Sequence, residues 1–298
     1  MQIPILWPTV AELKPYVEDT FVDLDGILED SLALTMPQEW IDGEEDAPPS
    51  GHLLLSGPPG VGKSLLAATC AKKAQEKFGG VIPTVTFDCS EDTREYHLRG
   101  MPLPVGNETV FVPGPLPVAI EMANKHRCAF LLLEEVSSLT PGSQKKLNAL
   151  TDWRNAIYIP QIARNFRLNP GCRIVIIGSL NPYVFGGVNE MNKDLSSRFQ
   201  TREVNYPDQT GDKSILRQIR PGTDEATIEK LAQLASETRT QATDYKLAPR
   251  DLKHWIDNSR KLGSQKKAFT YLAALFEGSD RDLVQEKIKD IFNVDLNR

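Results

Sequence analysis

Much that would assign a chain to a class at a glance is missing here. The four cysteines (Cys70, Cys89, Cys128 and Cys172) are widely scattered and form no CxxC pair. In a chain of 298 residues that points to reduced thiols in a cytosol and against a disulfide framework. No apolar run approaches the ~20 residues needed to span a bilayer. The longest, Ala129–Leu133 and Ile174–Ile177, have the length of buried strands, so no membrane association is expected. The first residues carry no basic region, and two prolines interrupt their short apolar stretch, so no secretory signal is expected. Nor is there an excess of positive charge: 34 Lys and Arg face 40 Asp and Glu, a formal net charge of −6. Whole-surface binding to nucleic acid is therefore disfavoured, while a local basic groove stays open. There is no G-x-S-x-G elbow and no HExxH. His52, His97, His126 and His254 stand apart from one another and read as structural or surface residues. No internal repeat or low-complexity segment is present.

What remains is globular. Hydrophobic residues make up 40% and charged residues 25% of the chain, enough for a sizeable core in one large domain or two smaller ones. Residues 1–50 read as a helical or irregular lead-in. It closes on an acidic cluster, Asp42–Asp46, with Pro48 and Pro49, which has the look of a solvated linker. From 51 to 207 the pattern is strand, turn, helix, repeated. Short apolar runs lie at His52–Ser56, Val81–Phe87, Phe130–Leu133 and Arg173–Ser179, with a weaker one at Thr201–Val204. Helical stretches alternate with them at Ser64–Lys77, Leu116–Lys125 and Ser143–Trp153. Ser143 is placed to cap the last of these, whose Leu147, Leu150 and Trp153 share a face. Buried strands separated by helices imply an α/β fold with a parallel sheet covered on both faces. After Pro207 the strands stop. Residues 208–298 carry helical apolar sets such as Ile228, Leu231 and Leu234, and Leu252, Trp255 and Ile256, which imply a small all-helical second domain.

The strongest local signal is GPPGVGKS at 57–64, directly after a strand and before a helix. Gly57, Pro58, Pro59, Gly60, Val61, Gly62, Lys63, Ser64 and Leu65 make a P-loop: backbone N–H groups cradle phosphates, and the helix adds the positive end of its dipole. Lys63 would reach the β- and γ-phosphates, and the Ser64 hydroxyl would bind Mg²⁺. An accidental match arises in on the order of one per cent of chains this long, before the flanking elements are required. The second signal is LLLEEV at 131–136, an apolar strand that delivers two carboxylates to the carboxyl edge of the sheet. Glu134 can hold Mg²⁺ through water and Glu135 can orient an attacking water.

With these two elements in place the chain resembles the AAA+ ATPases, and specifically the MoxR-type group. That group includes the activators of Rubisco and of nitric oxide reductase, gas-vesicle ATPases and the small subunit of cobalt chelatase. Further motifs carry the resemblance in order: LRG at 98–100, FVPGPLPVAI at 111–120, LNALTDWRNAIYIP at 147–160, IIGSLNPYVFGG at 176–187, DLSSRF at 194–199, YPD at 206–208 and LAPRDLKHWI at 247–256. The resemblance implies a P-loop NTPase sheet domain followed by a helical lid, ATP and Mg²⁺ as ligands, and hydrolysis in a hexameric ring. P-loop hydrolases usually carry Asp where this chain has Glu134.

Carried over residue by residue, the resemblance makes Asn181 sensor 1, Arg198 the arginine finger that reaches a neighbouring subunit, and Arg250 sensor 2. Arg202 is a second candidate for the finger. Each also has a plain alternative: an Asn-Pro turn, a surface ion pair, a solvent-facing residue in the first turn of a helix. Asp25–Leu28 is a candidate base pocket. Two segments look like additions to the fold, a hairpin within Tyr96–Phe111 and another within Asn155–Asn169. The second carries Arg164 and Arg167, with Arg154 just before it, and reads either as a solvated face or as a substrate contact. The first reading of function is a cytoplasmic, ring-forming ATPase that remodels or activates a protein client through a von Willebrand factor A-like adaptor. The alternatives are a nucleic-acid motor or restriction-type NTPase, with GTP as an alternative nucleotide, and a nucleotide-gated scaffold.

Overall fold

Short runs of branched and aromatic residues bounded by turn signals become strands here, and the polar amphipathic runs between them become helices. A computed structural model describes residues 3–7, 20–44, 51–152, 154–182, 191–242 and 245–296. Two compact units are present. One draws on Asp25–Gly57 and Lys63–Val204, the other on Thr20–Leu24, Pro58–Gly62 and Asn205–Arg298.

In the first unit two short helices, α1 (Ile27–Thr35) and α2 (Gln38–Asp42), precede β1 (Leu53–Ser56) and α3 (Lys63–Phe78). Then come β2 (Thr84–Asp88), α4 (Glu95–Arg99), a hairpin of β3 (Gly100–Val105) and β4 (Glu108–Pro113), and α5 (Pro115–His126). After β5 (Cys128–Glu134) and α6 (Pro141–Thr151), a second hairpin joins β6 (Ala156–Ile159) to β7 (Arg164–Arg167). The unit ends with β8 (Arg173–Leu180), α7 (Lys193–Ser196) and β9 (Gln200–Glu203).

The sheet of the described residues runs β2-β5-β8-β1-β9, and every neighbouring pair in it is parallel. β5 and β8 are buried along almost their whole length, the signature of strands covered on both faces. On one face Ala129, Leu131 and Leu133 join a cluster with Leu116, Ala119 and Ile120 of α5 and Leu147 and Leu150 of α6. Phe130 and Leu132, on the alternate face, are equally buried. The expected α/β sheet is therefore present.

Several details depart from expectation. Pro83 delays β2, which starts at Thr84 and not at Val81. Ser143 does not cap its helix: Thr140 is the cap, its hydroxyl accepting from the Ser143 N–H, because Pro141 at the first helical position fixes the start two residues earlier. That helix ends at Thr151, and Trp153 lies outside the described residues. The first expected hairpin begins with a helical turn, α4, before the strands pair across Gly106-Asn107. The acidic cluster opens inside α2, where Asp42 accepts from the Gln38 amide at 2.8 Å, while 45–50 lie outside the described residues.

The second unit contains α8 (Gln209–Ile219), α9 (Glu225–Gln241), α10 (Pro249–Leu262), α11 (Gln265–Ala273) and α12 (Gly278–Phe292). Asp208, Asp224 and Ser264 cap α8, α9 and α11, each accepting from the third N–H of its helix. The expected apolar sets meet in one core: Ile228, Leu231 and Leu234 pack with Leu252, Trp255, Ile256, Phe269 and Val284. Among the described residues no helix is long and apolar enough to cross a membrane.

His52, at the start of β1, makes stability sensitive to acid. Its ring is buried and its Nδ1 accepts from the Ile176 N–H at 3.2 Å, which requires that nitrogen to be unprotonated. Burial, with the Arg173 charge adding to it, pushes its pKa from 6.5 down to about 4. The unfolded chain binds this proton first, so stability is complete above pH 6.5 and falls as pH drops toward 4. The expected loss is up to about 3 kcal/mol. Urea midpoints between pH 7 and pH 4.5 test this, and His52→Gln should flatten the dependence by about one proton; an equal slope in the variant would refute it.

Candidate functional site

The loop after β1 takes its shape from its glycines. A Cβ at Gly57 would lie 2.0 Å from the Val204 carbonyl oxygen, so no side chain fits where the chain passes the end of β9. Gly60 has φ +79°, a left-handed conformation costly for other residues. Pro58 and Pro59 hold the stretch between. The loop then enters α3 at Lys63, and the start of a helix carries the positive end of its dipole. Ser64 is exposed and Leu65 half-buried.

Lys63 is buried. Its ammonium donates to the Gly57 carbonyl at 2.8 Å and to Asn181 Oδ1 at 2.9 Å. Because β1 and β8 are parallel neighbours, in register from Leu53–Ile177 to Ser56–Leu180, the residue just beyond β8 arrives beside the loop just beyond β1.

The acidic pair is built the same way one strand over. Glu134 ends β5, paired through Leu133–Gly178 with β8. Its Oε2 accepts from Ser64 Oγ and from Ser179 Oγ, both at 2.6 Å. The Ser179 hydroxyl in turn accepts from the Glu135 N–H at 3.2 Å. Glu135 is exposed and left-handed, with φ 54° and ψ 46°. Such strain in a non-glycine residue costs on the order of 1 kcal/mol and clusters at functional sites. Ser179 therefore binds both acids, one by side chain and one by backbone. Sequence reasoning missed it; the available signal was a lone hydroxyl between Gly178 and Asn181 in an otherwise apolar strand.

A triphosphate fits this arrangement: one buried ammonium, a helix start and a glycine-shaped loop. Mg²⁺ fits as well. Ser64 Oγ and Glu134 Oε2, 2.6 Å apart, are oxygens of the kind that would hold such an ion, and two of them are too few to hold it alone. The ion would come with the phosphates, Ser64 binding directly and Glu134 through water.

Arg198 sits in an ion cluster within its own chain. Its Nη2 and Nε donate to the Asp194 carboxylate and carbonyl at 3.1 Å each, and its Nη1 lies 3.7 Å from Asp152. Arg154 grips the same Asp152 with both Nε and Nη2. Hydrogen bonding from Arg154, with Arg198 nearby, holds the Asp152 carboxyl below the usual range. Arg202 lies 3.8 Å from Asp30.

Within the second unit, the arc Pro58–Gly62 groups with the start of α10. A Cβ on Gly60 would lie 2.7 Å from Ala248 Cβ and 3.5 Å from both Nε and Nη2 of Arg250. Pro249 occupies the first helical position of α10, and Arg250 follows it, exposed.

Comparisons with known proteins bear on the family and the fold. Residues 52–199 match the family described as AAA domain, dynein-related subfamily. That segment is an AAA domain. An uncharacterised protein of Staphylococcus haemolyticus is 27% identical over 197 residues, covering 64% of this chain and 69% of its own length. An uncharacterised protein of Staphylococcus aureus (strain NCTC 8325 / PS 47) gives the same figures. Two variants of RuvB from Thermotoga maritima superpose with TM-scores of 0.53 and 0.52, at 17% and 16% identity. They span 94% and 95% of this chain and 81% of each of their own. These likenesses concern the fold. The AAA domain contains the P-loop from Gly57, both acids, Asn181 and Arg198, whereas Arg250 lies beyond it. Tyr183–Gly187, the end of the motif that starts at Ile176, lie outside the described residues.

Ser179→Ala tests the bridge between the acids. It removes the acceptor of the Glu135 N–H and one donor to Glu134, and the unfolding free energy should fall by about 1–2 kcal/mol. Chemical denaturation measures this; an unchanged midpoint would mean that water replaces the hydroxyl without cost.

Proposed function

We propose that this chain is an ATP hydrolase of the MoxR type that works as a hexameric ring and couples ATP turnover to remodelling or activating a protein partner. The observation that carries the reading is the joining of loop and acids through β8: Asn181 to Lys63, and Ser179 to Glu134 and Glu135. In the proposed reaction Lys63 exchanges Gly57 and Asn181 for β- and γ-phosphate oxygens. Asn181, released, helps place the attacking water, and Glu135 takes a proton from it. The water oxygen bonds to the γ-phosphorus as the bond from that phosphorus to the bridging oxygen breaks; ADP and inorganic phosphate leave, and Glu135 passes its proton to the departing phosphate. Mg²⁺, when bound, neutralises charge on the phosphates. Arg250 senses the γ-phosphate from the helical lid, the role proposed for residues 208–298 beside a core of 51–207.

The finger role of Arg198 asks for release from Asp194 and Asp152, since the guanidinium must face a neighbour's nucleotide to lend its charge. Exposed ion pairs are worth at most about 1 kcal/mol each, against the roughly 4–7 kcal/mol of barrier that such an arginine removes. The exchange is favourable. A protein client, reached through a von Willebrand factor A-like adaptor, is preferred to nucleic acid because the chain carries 40 Asp and Glu against 34 Lys and Arg. A cytoplasmic setting goes with this reading.

Two experiments test it. Lys63→Ala should abolish tight ATP binding, whereas Glu135→Gln should bind ATP and not turn it over; normal turnover in Glu135→Gln reassigns the base, and unchanged affinity in Lys63→Ala removes the P-loop role. Turnover of the parent protein with and without DNA or RNA across a salt series belongs to the same assay, since strong salt-sensitive stimulation would favour a nucleic-acid motor. Arg198→Ala should bind ATP normally and hydrolyse at least ~10³-fold more slowly. Mixing it with Lys63→Ala subunits should restore part of the activity, because each supplies what the other lacks. No rescue at any mixing ratio would argue against action between subunits.

A further inference from the structure

Arg239, on α9, is nearly buried and its partner Asp212, on α8, is wholly so. The guanidinium donates to both Asp212 carboxylate oxygens, at 2.6 and 3.0 Å. Its Nη1 also donates to the Pro207 carbonyl at 2.6 Å, and its Nε to the Leu247 carbonyl at 2.7 Å. Its carbon lies 5.1 Å from the centre of the Tyr206 ring. Burying such a pair costs several kcal/mol per ion, and apolar side chains of the same volume usually serve stability as well or better. An apolar pair, however, could not hold two main-chain carbonyls. Leu247 is followed by Ala248, Pro249 and Arg250, so its carbonyl sits at the threshold of α10. Below it, Asp251 accepts from the Ala248 N–H at 2.8 Å and from the Tyr245 hydroxyl at 2.9 Å. The threshold is thus held on its carbonyl side by Arg239 and on its amide side by Asp251. Ala248 and Arg250 are the residues that Gly60 approaches.

We propose that Arg239 is a positioning residue for Arg250: by gripping the Leu247 carbonyl from α9 it fixes the first turn of α10, and with it the place from which Arg250 meets the nucleotide. Lysine cannot substitute. It carries the charge but not the planar fork needed to reach a carboxylate and two carbonyls at once. The inference rests on the reading of Arg250 as a γ-phosphate contact, and a double-mutant cycle separates the two.

Steady-state ATP turnover by the full chain is measured for Arg239→Lys, Arg250→Ala and the double variant, with kcat and KM resolved and unfolding midpoints recorded. Arg239→Lys alone should lose about tenfold in kcat/KM, and in the Arg250→Ala background it should lose almost nothing more. A merely structural role predicts the opposite, a loss of similar size in both backgrounds, and that result overturns the proposal. Should Arg250→Ala turn over ATP like the parent, the reading beneath the inference falls and the inference with it. Asp212→Asn provides a milder variant if Arg239→Lys does not fold. It keeps one acceptor for the guanidinium, and its smaller loss should likewise vanish when Arg250 is absent; persistence of that loss overturns the proposal equally.

Discussion

An ammonium group cannot be left bare inside a protein, and the candidate site is organised around that constraint. Lys63 is buried because the loop before it folds tightly enough to bring the Gly57 carbonyl back over the start of α3. Its second partner, Asn181, is 118 residues further along the chain. The lysine thus ties the loop after β1 to the segment after β8, and the parallel pairing of those strands makes the distance short. Once β8 is fixed there, Ser179 two residues earlier meets the end of β5 and gathers both acids. One buried charge and one strand order account for the whole group.

The strand order also explains why these residue types occur at strand ends and not within strands. β5 and β8 are buried on both faces, so a carboxylate in their middle would carry a desolvation cost with nothing to offset it. At the carboxyl edge Glu134 keeps part of its hydration and has two hydroxyl donors. Glu135 turns out of the strand through a left-handed residue, which ends the pairing and leaves it exposed. Ser179 is the exception, a buried hydroxyl inside β8, and it is tolerated because both its donor and acceptor capacity are used.

These facts decide how much could be read from sequence. That the loop, the two acids and Asn181 would meet was legible because each stands at a fixed offset from the end of an apolar strand, and parallel strands end together. The alternation of strand and helix was legible because burial on both faces leaves unbroken apolar runs. The errors were local or remote. Thr140 and Ser143 both have a hydroxyl, and only the position of Pro141 decides which caps the helix. Pro83 delayed a strand whose composition alone began three residues earlier. Arg239 and Asp212 were invisible because each is an ordinary charged residue on an amphipathic helix, and nothing in either helix announces that the two will be buried together.

Three cations, Lys63, Arg198 and Arg239, show how partner chemistry matches the work each is proposed to do. Gly57 and Asn181 hold Lys63 with neutral dipoles, whose attraction for a cation is weaker than that of a full charge, so a phosphate can outbid them. Arg198 is held by carboxylates, but at a partly exposed place where water screens the attraction and little is lost on release. Arg239 meets a fully buried carboxylate through two parallel hydrogen bonds, and breaking that contact would strand a charge in the core, a loss of roughly 3–5 kcal/mol. Of the three, Arg239 is held as a fixed clip must be, and Arg198 sits where release costs little. A cation that must accept an anion needs partners it can leave, and a cation that must keep a helix start in place needs one it cannot.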